Sequence, residues 1–190
     1  MKYFTKQWYE SSQEELEFPY SLEYIIANQG DKNLEKELMA WEKESEEKSR
    51  THYEKASKPY WEHYRRIEQY LPNNIKQIHS VNIGMSMHDC LLTTCGFVGK
   101  DFSMDVDSSG GFCDVKNLKF INAEILEIEI DFNNKNWWIY DEVYLYQDRK
   151  DRYEMHILFG VEDGTPNEGL AEMIIAFDDI IIDGNWVVEN

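Results

Sequence analysis

Apolar residues recur along this chain with two different periods, and the switch comes near Asn73. Before it, Leu34, Leu38 and Trp41, then Tyr53, Ala56, Tyr60, Tyr64, Ile67 and Leu71 fall at intervals of three and four. That spacing lines one face of an α-helix and predicts a long helix from about Asn33 to Tyr70. Two short helices are expected ahead of it. Thr5 is placed to cap one through Trp8 and Tyr9, and Ser21 another that carries Leu22, Ile25 and Ile26 and closes at Gly30. Pro19 marks the break between them. From Glu42 to Thr51 the apolar face vanishes, so this stretch must be solvated and held by local charge pairs worth about 0.2–0.5 kcal/mol each. Pro59 lacks a backbone donor and is expected to kink or split the helix near Lys58, and Pro72 with Asn73 and Asn74 to end it.

Beyond that point the pattern alternates. Six or seven strands are expected, near 88–98, 101–107, 112–131, 137–147, 152–160, 170–177 and 180–187. The separators carry turn chemistry, as at Gly99, Ser108 to Gly111, Asn133 to Asn136, Asp148 to Asp151 and Asp163 to Pro166. Spacers this short make antiparallel hairpins. Tyr153, Met155, Ile157 and Phe159 share one face of their strand, with Glu154 and His156 on the other, which predicts one wet side. The strand from Trp137 is apolar on both sides. Strict alternation puts Trp137, Ile139, Val143 and Leu145 on one face and Trp138, Tyr140, Tyr144 and Tyr146 on the other. Such a strand is covered on both faces or offers one of them for docking. The expected architecture is a single α+β domain over 1–190. Its helical layer, about 1–72, packs on a curved, mainly antiparallel sheet, about 85–187.

Charge divides the chain at the same place. The whole carries −18, but residues 1–78 hold a net of only −3 and residues 79–190 a net of −15. A field of that sign attracts cations and basic proteins and repels nucleic acid and anionic membranes. With 42 % apolar and 14 % aromatic residues, the chain has the material for a core and does not read as disordered. Cys90, Cys95 and Cys113 form an odd set with no C-x-x-C pair, which reads as reduced thiols in a cytoplasm. The opening Met1 to Lys6 has no apolar core of a secretory leader, and no apolar run approaches the ~20 residues needed to span a bilayer.

Several clusters invite a chemical reading. Asp105-Val106-Asp107-Ser108-Ser109-Gly110 resembles the first half of a calcium loop, making Asp105 and Asp107 metal candidates. The twelfth position holds Lys116 where a bidentate Glu is required, and the flanks read as strands, so a hairpin turn is the commoner origin of the pattern. His88-Asp89-Cys90 brings three ligand types together. Neither His79 nor Cys95 nor Cys113 arrives at a recognised metal spacing, and local hydrogen bonds closing a loop explain the cluster more simply. Asp141 and Glu142 interrupt the apolar strand, so at least one carboxylate must lie against apolar surface, where it needs a partner. With His88 they are the candidate catalytic residues, although pairing with a Tyr or Arg is the commoner fate of such a carboxylate. No nucleophile elbow, phosphate-binding loop or dinucleotide-binding glycine pattern is present, and no cofactor is expected. The ring ladder Trp138, Tyr140, Tyr144 and Tyr146 has almost no basic residues near it, which argues against stacking on nucleic acid and for core or a protein-binding face.

The opening Met1-Lys2-Tyr3-Phe4-Thr5-Lys6-Gln7-Trp8-Tyr9 resembles the start of a family of Gram-positive bacteria, domain of unknown function 4085. Met87-His88-Asp89, Phe120-Ile121-Asn122-Ala123, the run Trp137 to Tyr144 and His156-Ile157-Leu158-Phe159 extend the resemblance over most of the chain. It implies no reaction, cofactor or catalytic residue. The acidic, helix-then-sheet build is also similar in composition to immunity proteins of bacterial toxin systems. The expectation is therefore a non-catalytic, acidic, cytoplasmic binding protein, an immunity-like inhibitor of a basic protein partner. The alternative is an enzyme with a carboxylate-containing pocket near Asp141, Glu142 and His88. A concave polar pocket at those residues would favour the enzyme, and a flat acidic face the binding protein.

Overall fold

The computed structural model describes residues 1–13, 20–78, 87–162 and 169–184. Pro19 and His79 lie outside them, as does the Asp163 to Pro166 turn. Helix α1, Lys6–Ser12, starts where the Thr5 hydroxyl accepts the N–H of Trp8 at 3.1 Å. Helix α2, Leu22–Ala27, is capped by Ser21, which accepts from Tyr24 N–H. Gly30, at φ +89°, turns the chain into Asp31, whose side chain caps the long helix α3, Lys32–Ile67. α3 runs through Pro59 as one helix and does not split there. Pro59 and Lys55, whose carbonyl loses its partner, are both on the exposed side, where that oxygen stays open to water. The polar stretch 42–51 is mostly exposed, and five of the six buried residues of α3 fall between Ala56 and Ile67. After a 3-10 turn, Glu68–Tyr70, Asn73 and Asn74 do not end the helical part but open a further helix, α4, Asn73–Ile78.

Eight strands follow: β1 Leu91–Val98, β2 Asp101–Asp107, β3 Asn117–Ile121, β4 Glu124–Ile128, β5 Lys135–Leu145, β6 Tyr153–Glu162, β7 Gly169–Phe177 and β8 Asp179–Asp183. They form one open antiparallel sheet in the order β4-β7-β6-β5-β1-β2-β3-β8. The fold is thus α+β, as the periodicity implied, but the strand expected over 112–131 is broken. Asn122, at φ 49°, turns a corner between β3 and β4, and the single residue Asp178 separates β7 from β8. Because β3 pairs with β8 and β4 with β7, the two bends lie side by side. They are pinned together: Asn122 Nδ2 donates to Asp178 at 2.6 Å, and Arg152 donates to both the Asn122 carbonyl and Asp178. Two neighbouring bent strands with halves at opposite ends of the sheet order force the sheet to curve strongly.

The main core fills the concave side. Met104, Leu118, Phe120, Met155, Ile157, Phe159, Met173, Ile175 and Phe177 come from strands, and Tyr64, Ile67, Leu71, Ile75 and Ile78 from the end of α3 and from α4. Helical and sheet halves therefore share one core. A bulge in β5 decides which tryptophan joins it. Trp138 stands opposite Phe159 and Tyr140 opposite Leu158, so Ile139 is an extra residue and the side chains switch faces there. Trp138 and Val143 consequently enter the core together, while Trp137, on the same face as Val143 by strict alternation, is only half-buried.

Candidate functional site

The second apolar cluster explains the ring-rich face of β5. Phe4 packs with Ala56 and Tyr60 of α3, joined by Tyr3, Trp8, Tyr53 and Tyr140. The Phe4 ring stacks on Tyr140 with centroids 4.8 Å apart, and Trp8 meets the same tyrosine edge-on at 5.3 Å. The first residues of the chain thus form a cover, wedged between α3 and the outer face of β5. The ladder expected to be core or a protein-binding face is divided between several places. Trp138 is in the main core, Tyr140 and Tyr144 lie beneath the cover, and half-buried Tyr146 starts the 3-10 turn after β5. The four rings do not make one open face.

Glu142 sits at the centre of this arrangement and is fully buried. Its Oε1 accepts the N–H of Tyr3 at 2.8 Å and of Phe4 at 2.6 Å; its Oε2 accepts the N–H of Lys2 at 2.8 Å and the Tyr144 hydroxyl. Four donors on two oxygens make up for lost water, which is the condition for keeping a carboxylate inside. The next residue explains why α3 lies here. β1 pairs with β5 only at Leu91–Trp137 and Leu92–Asn136, so the later part of β5 needs other partners on that side. Tyr60 of α3 supplies one, its hydroxyl oxygen accepting the Val143 N–H at 3.0 Å.

Around this knot lie further titratable groups. Tyr144 is flanked by the His63 and His156 rings, each 4.9 Å away, and Lys2 Nζ sits 3.9 Å over its face. Burial, then the Glu142 charge, pushes the Tyr144 hydroxyl far up, and burial pushes Tyr140 up to about 12. Burial, helped by Lys2, holds His63 below its usual range. His156 is buried and pairs with Glu154, whose carboxylate that bond holds low. The side of β6 bearing Glu154 and His156 is therefore not wet, because the same cover lies over it. The terminal ammonium of Met1 reaches Glu172 at 2.7 Å and has no exposed surface.

The other candidates fall elsewhere. Asp141 is half-buried and accepts the Trp138 indole N–H at 2.9 Å. His88 lies in a turn, its Nδ1 3.0 Å from Asp89 and its ring against Phe112 and Tyr140. That turn docks on β5 through Asp89 N–H to the Trp138 carbonyl and Trp138 N–H to the Cys90 carbonyl. Asp141, Glu142 and His88 thus meet different rings, Trp138, Tyr144 and Tyr140 in turn. None of them lines the shallow cavity of about 700 Å³ that lies along α3 between Ala40 and Lys55. Asp105 accepts from Asn117 and Thr94 and Asp107 from Ser109 N–H, as a hairpin and its turn require. Among the described residues no group of three or more His, Cys, Asp or Glu side chains is placed to hold a metal. Cys90 and Cys113, both buried, lie with their sulfurs 3.8 Å apart, and all three cysteines are free thiols.

The sequence pattern required a partner for at least one of Asp141 and Glu142 without saying which, and pointed to a Tyr or Arg side chain to supply it. Three of the four donors to Glu142 are backbone N–H groups from the start of the chain, and no residue type signals those. No helix among the described residues is long and apolar enough to cross a membrane. A family model described as Protein of unknown function (DUF4085) matches residues 18–165. No curated protein and no solved structure matches the chain.

Proposed function

The chain belongs to the DUF4085 family of proteins of unknown function, and on that premise we propose that it is a non-catalytic, acidic, cytoplasmic binding protein whose partner is a basic protein, an immunity-like inhibitor in role. One observation supports this above the others. The carboxylate in its most deeply buried polar cluster is consumed by structure, since both oxygens of Glu142 are taken by four donors, while the surplus negative charge stands at the surface of the sheet half. A catalytic carboxylate needs a face open to substrate, and Glu142 has none. Acid on the surface instead speeds encounter with a basic partner, leaving close apolar contacts to hold the complex.

The test is a pull-down from the native cell at low and at raised salt, followed by the association rate of whatever is recovered. A basic partner whose association slows as salt rises supports the proposal, because steering is screened and close contact is not. Recovery of neutral or acidic proteins alone overturns it. So does a basic partner whose association rate is unchanged by salt over the same range.

A further inference from the structure

We infer that β4, whose outer edge has no backbone partner among the described residues, is the docking strand, and that its occupant is an extended, basic segment of the partner, added to the sheet beside it. The inference rests on the reading that the partner is basic and gives it a place. The sheet has two edges, β4 and β8. They differ in how they are finished. β8 lies against α4, and Asn74 of that helix donates to the Ile180 carbonyl at 2.8 Å. β4 pairs with β7 on one side, and among the described residues nothing bonds to its backbone on the other. An edge strand carries a row of unpaired N–H and C=O groups that can template another strand.

The side chains on this edge narrow the occupant. Leu126 and Ile128 are exposed, and Phe132 just beyond the strand is 55 % exposed. Exposed apolar groups on a free edge invite self-association unless something opposes it. Here Glu124, Glu127, Glu129 and Asp131 are interleaved with them. A second copy would bring the same carboxylates face to face, which is unfavourable. A strand alternating Lys or Arg with apolar residues would meet both patterns at once. Two of the carboxylates already have cations, Glu124 with Arg152 and Glu129 with Lys6, but Glu127 has none among the described residues. Its charge is available to an incoming cation.

The probe is a capped nine-residue peptide alternating lysine and valine, titrated against the whole protein at low salt. Two controls accompany it: the same peptide N-methylated at every second amide, and its glutamate–valine counterpart. Strand addition predicts that the lysine peptide binds and that backbone amides of 124–128 gain protection from hydrogen exchange. The methylated peptide, equal in charge but unable to pair, should bind about tenfold more weakly or worse. Glu127→Lys, at an exposed position, should weaken the lysine peptide similarly and leave the denaturation midpoint in place. Equal binding of the two lysine peptides, or no effect of Glu127→Lys, overturns strand addition while leaving a basic partner standing. Failure of both the peptide and polylysine to bind overturns the basic-partner reading as well. Sedimentation showing a dimer that Glu127→Lys alters would make a second copy the occupant and overturn the inference.

Discussion

Phe4 and Glu142 are 138 residues apart in sequence, and the N–H of Phe4 donates to the Glu142 carboxylate at 2.6 Å in a fully buried setting. With the neighbouring bonds from Lys2 and Tyr3, that contact converts the first residues of the chain into the outer cover of β5. It ties a charge that would be expensive to bury alone to donors that would be expensive to bury unpaired.

Glu142→Gln should therefore destabilise the protein although the side chain keeps its shape. The new amide turns an N–H donor toward groups that are donors themselves, and each buried donor left without an acceptor costs about 1–3 kcal/mol. The midpoint in urea measures it. Deleting residues 1–4 should cost as much or more, and combining the two changes should cost clearly less than their sum, since both remove the same bonds. Full additivity would show that Glu142 draws its stability from elsewhere.

The bulge at Ile139 makes a prediction that separates two adjacent tryptophans. Trp138→Ala removes a fully buried ring and should cost about 3–5 kcal/mol. Trp137→Ala, at a half-buried position, should cost distinctly less. Reversed values would place the strict alternation of the strand above the bulge.

Stability should fall as the solution is acidified from neutrality, in two stages. His63 is held below its usual 6.5, so the unfolded chain takes up its proton first; its contribution is present above 6.5 and is lost as pH falls through its lower folded value. Glu154, held low by His156, adds a second loss below its usual 4.5. Urea midpoints across pH 7 to 3 report both stages. His63→Asn should flatten the first and leave the second.

Gly111 and Cys90 are coupled by close approach. A Cβ at Gly111 would stand 2.6 Å from Cys90 Sγ and 3.0 Å from the His88 carbonyl. Gly111→Ala should cost about 1–3 kcal/mol through overpacking. In a Cys90→Ala background the sulfur is gone, and the cost should shrink by about 1 kcal/mol, read from a double-mutant cycle in urea. An unchanged cost would leave the backbone clash as the whole cause.

How much of this was legible in the chain differs from element to element. Thr5 and Ser21 announced their helices, because a hydroxyl at the N-cap bonds an N–H only three residues away. Pro59 was over-read, since removing one donor matters little where the orphaned carbonyl faces water. The extent of β2 and β7 and the end of β1 followed from alternation and turn residues, which are local causes, whereas β1 begins only at Leu91 because residues 87–89 form a turn. Asn122 carried no comparable signal: a left-handed residue that turns a strand reads like any other Asn until Asp178 and Arg152 are beside it. For the site, the alternating pattern showed that Asp141 or Glu142 would lie against apolar surface and need a partner, without choosing between them. It placed Trp138, Tyr140 and Tyr144 on the same side, where the bulge at Ile139 separates Trp138 from the other two.

By itself, the sequence determined the α+β class, the starts of the first three helices, the antiparallel pairing of hairpins and the concentration of acid on the sheet half. Each of these rests on interactions between residues close in the chain, or on composition alone. Tertiary structure decided which tryptophan enters the core, what covers the outer face of β5, which donors satisfy Glu142 and which sheet edge α4 covers. Those outcomes depend on contacts between segments far apart in sequence, such as Lys2–Phe4 with Glu142 or Asn74 with Ile180, and a local pattern carries no record of which distant segment will arrive.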